Sequence, residues 1–470
     1  MAPNTFPAAA HPWLATDPAA PLAERVRAAG IREVECLFPD ISGVPRGKLM
    51  PAASFAGGAE LRIAQAIPMQ CVTGEYSLDT RLFADSDPDV RLLPDAATLR
   101  PVPWAGAQRP RLLALHDCLE PDGSPCDYAV RNLLKGVLAR YAALGLTPVV
   151  APEIEFYLFA AHSDPDLPPE PPRGLRSGRA EAGDAAFSLH MRNELAPFWD
   201  EFQAALETLG VATDTWIHEV GCSQYEINLL HGDALAVADQ AFLFKLAARE
   251  VALRHGLNAV FMAKPVAGQA GSSMHIHQSL VDKDGRNIFS RPDGSADQRF
   301  FHFIGGLQAH GADLALCFAP NVNAFRRYVA GAQAPVNLHW GEDNRSTGLR
   351  VPRSGPAARR VENRIAGADA NPYVAIAASL AAGLAGIEDQ LQPGAPVGTT
   401  DNASTVAGGQ TLPRTLAHAL ERFEAALPGS MSRLLGERFA RGYLAVKTLE
   451  HEHYQREISA WERRYLLPQV

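Results

Sequence analysis

Several features that would direct a chain of 470 residues toward other functions are missing here. No apolar run is long enough to cross a bilayer: the longest Ala/Leu/Gly-rich stretch, 374–387, falls short of the roughly 20 residues a spanning helix needs. The six cysteines contain no Cys-x-x-Cys pair, which removes the common zinc and dithiol motifs and fits reduced thiols. The first residues lack the basic region and apolar core of a secretory leader, so a cytoplasmic location is expected. Positive charge is not in excess: the formal net charge of −9 argues against nucleic acid or an anionic membrane as partner. There is no phosphate-binding loop, no Gly-x-Gly-x-x-Gly fingerprint and no repeat of fixed period. A nucleotide would therefore be held by arginines and metal ions on a sheet, not by a glycine-rich loop at a helix start.

What is present is one pattern used four times. In a strand, successive side chains alternate faces. In 151–159 (Ala-Pro-Glu-Ile-Glu-Phe-Tyr-Leu-Phe) this places Glu153 and Glu155 on one face, with Ile154, Phe156 and Leu158 on the other. Two neighbouring carboxylates on an otherwise apolar segment repel each other, and burial raises both pKa values, so a cation is expected between them. The same pattern puts Gln224, Glu226 and Asn228 on one face, with Glu219 shortly upstream; it then sets out His275, His277 and Ser279, and finally Arg360, Glu362 and Arg364. Each segment alone reads as a half-exposed strand. Together they supply carboxylates, imidazoles and guanidinium groups from separated parts of the chain. Oxygen-rich ligation with an occasional imidazole suits Mg²⁺ or Mn²⁺, and arginines suit phosphate oxygens. Arg326, Arg327, Arg345 and Arg350 lie in a Gly/Pro-punctuated stretch that reads as loops over such a site. The sequence thus points to metal-dependent phosphoryl transfer on the polar face of a sheet.

In chain order, residues 1–20 are rich in Ala and Pro and are expected to form a loose arm. Residues 21–115 read as a small, mostly β domain, with Asp40 in a turn between strands. Residues 125–470 read as one larger domain. Its clearest helix is 127–144, where Val130, Leu133, Leu134, Val137, Leu138 and Tyr141 form a buried stripe ended by Gly145. Residues 164–174 are a proline-rich loop, and the charged stretch to residue 184 is expected to be mobile. Helices are expected at 193–209 and 239–255, with mostly helix after residue 371.

These segments resemble the glutamine synthetase superfamily. The resemblance is carried by Asp-Ile-Ser-Gly-Val-Pro-Arg-Gly-Lys at 40–48, Pro-Glu-Ile-Glu-Phe at 152–156, His-Glu-Val at 218–220, Gln-Tyr-Glu at 224–226, Gly-Ser-Ser-Met-His-Ile-His at 271–277, Asn-Arg-Ser at 344–346 and Arg-Val-Glu-Asn-Arg at 360–364. Within the superfamily the chain looks most similar to gamma-glutamylputrescine synthetase and gamma-glutamylpolyamine ligases. The resemblance implies an α+β fold, with an N-terminal β-grasp domain and a catalytic domain whose curved antiparallel sheet is backed by helices. It also implies a homo-oligomer, a dodecamer of two hexameric rings with sites between subunits. The substrates it implies are glutamate, ATP and an organic amine, with two to three Mg²⁺ or Mn²⁺ ions per site. Glu155, Glu219 and Glu226 would hold one ion, and Glu153, His275 and Glu362 another. Gly271, Arg327 and Arg364 would bind glutamate, with Arg327 and Arg364 also catalytic. His277, Ser279, Arg345, Arg350 and Arg360 would line ATP, and Asp40 would reach a neighbouring subunit's site near the amine.

One departure bears on the amine. Synthetases that use ammonium carry a glutamate in the motif matching Gly-Ala-Gln-Ala-Pro at 331–335, where this chain has Gln333. An amide cannot hold or deprotonate ammonium as an anion, so Gln333 favours a larger amine, a polyamine such as putrescine or spermine. Ammonium-using synthetase activity and a non-catalytic relative are the alternatives.

Overall fold

A computed structural model describes residues 11–76, 82, 83, 86–106, 108–161, 164, 166–183, 185–329, 334–406, 408 and 411–470. Two sheets organise it. The first contains β1 (Glu33–Pro39), β2 (Pro45–Pro51), β3 (Leu61–Ala64), β4 (Asp89–Pro94), β5 (Arg100–Pro101) and β6 (Arg111–Leu119), in the order β2-β1-β6-β4-β3 with β5 on β6. The β1/β6 pair is parallel and β1/β2 is a hairpin. Gly47 is required there, because a Cβ would lie 2.0 Å from the Cys36 carbonyl oxygen across the hairpin.

The second sheet has nine strands: β7 (Leu146–Ala160), β8 (Thr213–His218), β9 (Gln224–Leu229), β10 (Gly232–Asp233), β11 (Leu257–Val260), β12 (Met274–Asp282), β13 (Trp340–Glu342), β14 (Leu349–Val351) and β15 (Val361–Asn363). Its order is β13-β14-β15-β12-β7-β9-β8, with β10 and β11 also on β7. The fifteen-residue β7 is therefore central and pairs with four strands. Its apolar face is the one the alternation predicts: Ile154, Phe156 and Leu158 are fully buried. Phe156 stacks on Phe261 at 5.3 Å and meets Phe244 edge-on at 5.9 Å. Helices Ala196–Leu209 and Ala234–Arg254 back this face, and aromatic burial on that scale holds the opposite, polar face of the strand in place.

Arg131 ties the first sheet to helix Ala234–Arg254, which backs the second. It donates to Asp117 of β6 (2.6 Å), to Asp95 (2.7 Å) and to both carboxylate oxygens of Asp239 (2.9 and 2.8 Å), while Tyr373 donates to Asp239 at 2.7 Å. This explains one difference from the sequence reading. The helix expected to begin at Asp239 begins at Ala234, capped by Asp233, because Asp239 is an interior clamp residue and not a terminus.

Three other expectations change. The arm expected over residues 1–20 is, at Pro12–Ala15, a 3-10 turn whose Trp13 is 5% exposed and lies under the Arg25 guanidinium; residues 1–10 fall outside the described residues. The helix expected over 127–144 spans Val130–Ala143. The charged stretch expected to be mobile is pinned: Arg173 bridges Ala180, and the buried Glu194 accepts from the Arg176 and Ser177 amides.

Candidate active site

Strand register alone brings the expected groups together. Residues directly opposite on paired strands share a face. His275 lies opposite Glu153, Glu226 opposite Glu155, and both His277 and Arg350 opposite Glu362. One continuous polar surface thus runs from β9 across β7 and β12 to β15 and β14.

The hydrogen bonds on it define protonation as well as position. Arg360 Nε donates to His277 Nδ1 (3.1 Å), so that nitrogen is the acceptor and Nε2 donates to Glu153 Oε1 (2.8 Å). The other Glu153 oxygen accepts from His275 Nδ1 at 3.2 Å. Burial alone would raise the Glu153 pKa, but the hydrogen bonds from His275 and His277 hold it far below the usual carboxylate range. Burial, with the Arg364 charge, lowers His275 to about 4, so its ring is neutral at pH 7, the form that ligates metal. Glu362 is fully buried between two guanidinium groups, Arg364 on Oε1 and Arg350 on Oε2 (2.5 and 2.7 Å). Against the burial that raises it, Arg364 and then His277 and His275 hold Glu362 down to about 2.

Glu155 and Glu226 are the opposite case. Burial and the Glu219 charge raise Glu155 to about 8, although the Ser273 amide donates to it at 2.8 Å. Burial and the charges of Glu155, Glu153, Glu219 and Glu362 raise Glu226 to about 9. Among the described residues the Glu226 carboxylate has no hydrogen bond or ion pair. Facing carboxyls whose pKa values burial and mutual repulsion raise are a fitting seat for Mg²⁺ or Mn²⁺. Two ligand triples have all their donor atoms within 4.8 Å of one another: Glu153, Glu226 and His275, and Glu153, His277 and Glu362. This grouping differs from the expected one. Glu153 is common to both because its carboxylate is drawn between the two histidines, and His277 stands among the candidate ligands as well as beside Arg360. Glu155 and Glu219 adjoin the triples without joining them.

A pH prediction follows. A carboxyl with a higher pKa folded than unfolded binds its proton more tightly in the folded chain, so the stability it contributes is lost as pH rises. Between the ordinary 4.5 and the raised values of about 8 and 9, the metal-free protein should lose several degrees of melting temperature. Mn²⁺ should restore most of this loss at pH 9, because ligation replaces the protons. Melting curves from pH 5 to 9 with EDTA or Mn²⁺ check it; a flat metal-free profile contradicts it.

Arg327 is buried. It donates to Ser273 Oγ (2.9 Å) and to the Ile365 carbonyl, which fixes its guanidinium beside Glu155. Gly271 makes room for it: a Cβ there would lie 2.6 Å from Arg327 Cγ and 2.9 Å from the Ala263 carbonyl oxygen. Ser279 follows His277 on the same face of β12 and is partly exposed. Arg345 is exposed in a turn that Asn344 organises, donating to the Gly398 and Asp401 carbonyls at 2.8 Å.

Asp40, expected to reach a neighbouring subunit's site, is fixed within its own turn in this chain. It is 0% exposed, with one oxygen accepting from the Ser42 and Val44 amides (2.9 Å each) and the other from Arg46 (2.8 Å). Its carboxylate shapes its own turn, and Asn371 holds that turn through the Asp40 carbonyl at 2.9 Å. Gln333 lies outside the described residues. The sequence reading gave no such role to Ser273, whose amide and hydroxyl serve Glu155 and Arg327, because a serine following a glycine and another serine carries no distinguishing signal. It also missed Glu181, which lies in a charged stretch without periodicity.

A helix-backed, largely antiparallel sheet with acidic, imidazole and arginine groups on one face is suited to holding divalent cations beside phosphate oxygens. Residues 127–466 match the family described as glutamine synthetase, catalytic domain. Among curated proteins, the chain is 34% identical over 437 residues to a glutamate--isopropylamine ligase from Pseudomonas sp, covering 91% of this chain and 93% of that protein. It is 32% identical over 435 residues to a glutamine synthetase from Pyrococcus abyssi (strain GE5 / Orsay), covering 91% and 92%. Among solved structures, one described as "Apo GmaS without ligand" superposes with a TM-score of 0.80 at 30% identity, covering 95% of this chain and 99% of that one. Another, a GmaS/ADP complex, gives the same score and coverage at 29% identity. The chain belongs to the glutamine synthetase family. It is a ligase of a family that uses ATP and divalent metal ions, and among the described residues no helix is long and apolar enough to cross a membrane.

Proposed function

We propose that this enzyme joins the γ-carboxyl of glutamate to an organic amine at the expense of ATP. The observation that carries this reading is the register placing Glu153 opposite His275, Glu155 opposite Glu226 and His277 opposite Glu362, beside buried Arg327 and Arg364. The curated relative named for isopropylamine supports an organic amine, and Gln333 argues for one over ammonium. A polyamine is the preferred class, with small monoamines next.

A carboxylate is a poor acyl donor. The glutamate γ-carboxylate attacks the γ-phosphorus of ATP and ADP leaves; the amine nitrogen then attacks the acyl carbon, phosphate leaves, and the nitrogen sheds a proton. In this reading Arg327 and Gly271 seat glutamate, and Arg364 faces the transferred phosphoryl group. Arg350, Arg360, Arg345, His277 and Ser279 line the nucleotide side. Glu153, Glu155, Glu219, Glu226, His275, His277 and Glu362 form the ligand pool for Mg²⁺ or Mn²⁺, which supply charge neutralisation for phosphoryl transfer when bound. The guanidinium groups are already oriented by Glu362, Ser273 and Ile365, so they are preorganised toward developing negative charge.

The reading extends to the whole chain as a cytoplasmic homo-oligomer, a dodecamer with shared sites, whose N-terminal sheet is a β-grasp. The exposed Trp461, Tyr465 and Leu467 of the C-terminal segment support association, and light scattering on the full chain tests it. The function itself is tested by glutamate-dependent phosphate release from ATP with ammonium, di-, poly- and monoamines, with the product confirmed by mass. Activity with an organic amine and little with ammonium is the expected result. Preference for ammonium overturns the amine assignment, and silence across the panel overturns the ligase reading.

A further inference from the structure

The turn between β8 and β9 presents Glu219, which stands one residue past the end of β8, and leads into Glu226 on β9. The β-ladder does not by itself aim Glu219; the turn does. Its conformation is unusual, because Ser223 has φ +58°, a left-handed backbone that serine seldom adopts unless its surroundings enforce it.

What enforces it comes from another part of the chain. Glu181, on the pinned strap that precedes helix Ala196–Leu209, is 7% exposed at its side chain. Its Oε2 accepts both the Ser223 amide (2.8 Å) and His218 Nε2 (3.1 Å). The His218 ring passes the contact on, its Nδ1 donating to the Glu219 carbonyl at 2.8 Å, and it packs edge-on against Tyr225 at 4.9 Å. One carboxylate oxygen therefore grips the turn at both ends, directly at Ser223 and through the imidazole at Glu219. The strap makes two further contacts nearby: the Phe187 amide donates to the His218 carbonyl at 2.8 Å, and the Cys222 thiol donates to the Gly183 carbonyl at 3.5 Å. On its far side, the Ser223 carbonyl accepts from the Leu158 amide of β7 at 2.9 Å.

We propose that Glu181 is a positioning residue that sets the direction of Glu219 through His218 and Ser223, and so tunes cation affinity without touching the cation. The inference rests on reading Glu219 and Glu226 as metal ligands. Outer partners of metal ligands commonly contribute 10- to 100-fold in affinity.

Both bonds fall on a single oxygen, which makes the proposal separable from a general structural role. Glu181→Gln can offer its amide oxygen to both donors. Glu181→Asn retracts the oxygen by one methylene while keeping a polar side chain in the buried slot, and Glu181→Ala removes it. Mn²⁺ binding to the full chain is followed by the electron paramagnetic resonance signal of the free ion, with Glu219→Gln as reference. The expected result is that E219Q, E181A and E181N each weaken one Mn²⁺-binding step about tenfold or more, while E181Q stays close to wild type. If E181A misfolds by circular dichroism, E181N against E181Q carries the comparison. Weakened binding in E219Q with wild-type binding in E181N overturns the proposal and leaves the metal reading standing. Equal losses in E181Q and E181N overturn the positioning role through that oxygen. Unchanged binding in E219Q overturns the metal assignment of Glu219, and this proposal with it.

Discussion

Replacing Glu362 with Ala should reduce glutamate-dependent ATP consumption by about 10³-fold or more, corresponding to roughly 4 kcal/mol of lost stabilisation in the transition state. Glu362 is fully buried, accepts from Arg350 and Arg364 on its two oxygens, and belongs to the triple with Glu153 and His277. Its removal takes away a candidate cation ligand and also frees two arginines to swing toward other acceptors. Part of the loss will be stability, since breaking a buried pair leaves uncompensated charge. Glu362→Gln separates the two effects: it keeps the volume and a carbonyl for one arginine, yet should be almost as inactive as Glu362→Ala. Phosphate release and melting temperature, measured on both variants, check this. Substantial turnover in a folded Glu362→Gln enzyme contradicts the site assignment.

Gly271→Ala should raise the KM for glutamate and lower kcat/KM by about 30- to 100-fold, about 2–3 kcal/mol, while the KM for ATP stays near its original value. The added methyl group would sit 2.6 Å from Arg327 Cγ and 2.9 Å from a backbone oxygen, Ala263 O. The oxygen belongs to a main chain hydrogen-bonded to Ser272 at 2.9 Å and cannot retreat cheaply, so the side chain moves. Arg327 then loses its bond to Ser273, and with it the fixed guanidinium beside Glu155. Steady-state kinetics with each substrate varied in turn make the measurement; an unchanged glutamate KM means that Arg327 does not seat glutamate.

The site was legible in the sequence where strand alternation decides it. Glu153 and Glu155 opposite an apolar face, His275 with His277, and Glu362 with Arg364 all follow from a period of two, and that period depends on the backbone alone. The apolar face of β7 and the helix ended by Gly145 follow from equally local rules. What was not legible depends on side chains that meet across the fold. The candidate cation ligands group differently from the expected sets because Glu153 hydrogen-bonds two histidines at once, a rotamer choice that no spacing encodes. Asp40 was placed near the amine through the family resemblance, whereas within this chain Arg46 and two amides fold its carboxylate back into the turn. Trp13 shows the same limit: an Ala/Pro-rich context reads as loose until one indole finds a cavity and an arginine to cover it.

The pairing of β7 with four strands also sets when in folding the site comes into being. Glu153 on β7 meets His275 on β12, 122 residues away, and His277 meets Glu362 on β15, 85 residues further on (362 − 277), so long stretches of chain must first close into loops. Contacts of such long range form late, after most of the loop entropy has been lost. A fragment ending before β15 lacks Glu362 and therefore cannot hold the complete centre. Regain of cation binding during refolding is therefore a reporter of global, not local, folding, and it should appear in the slowest phase of that process.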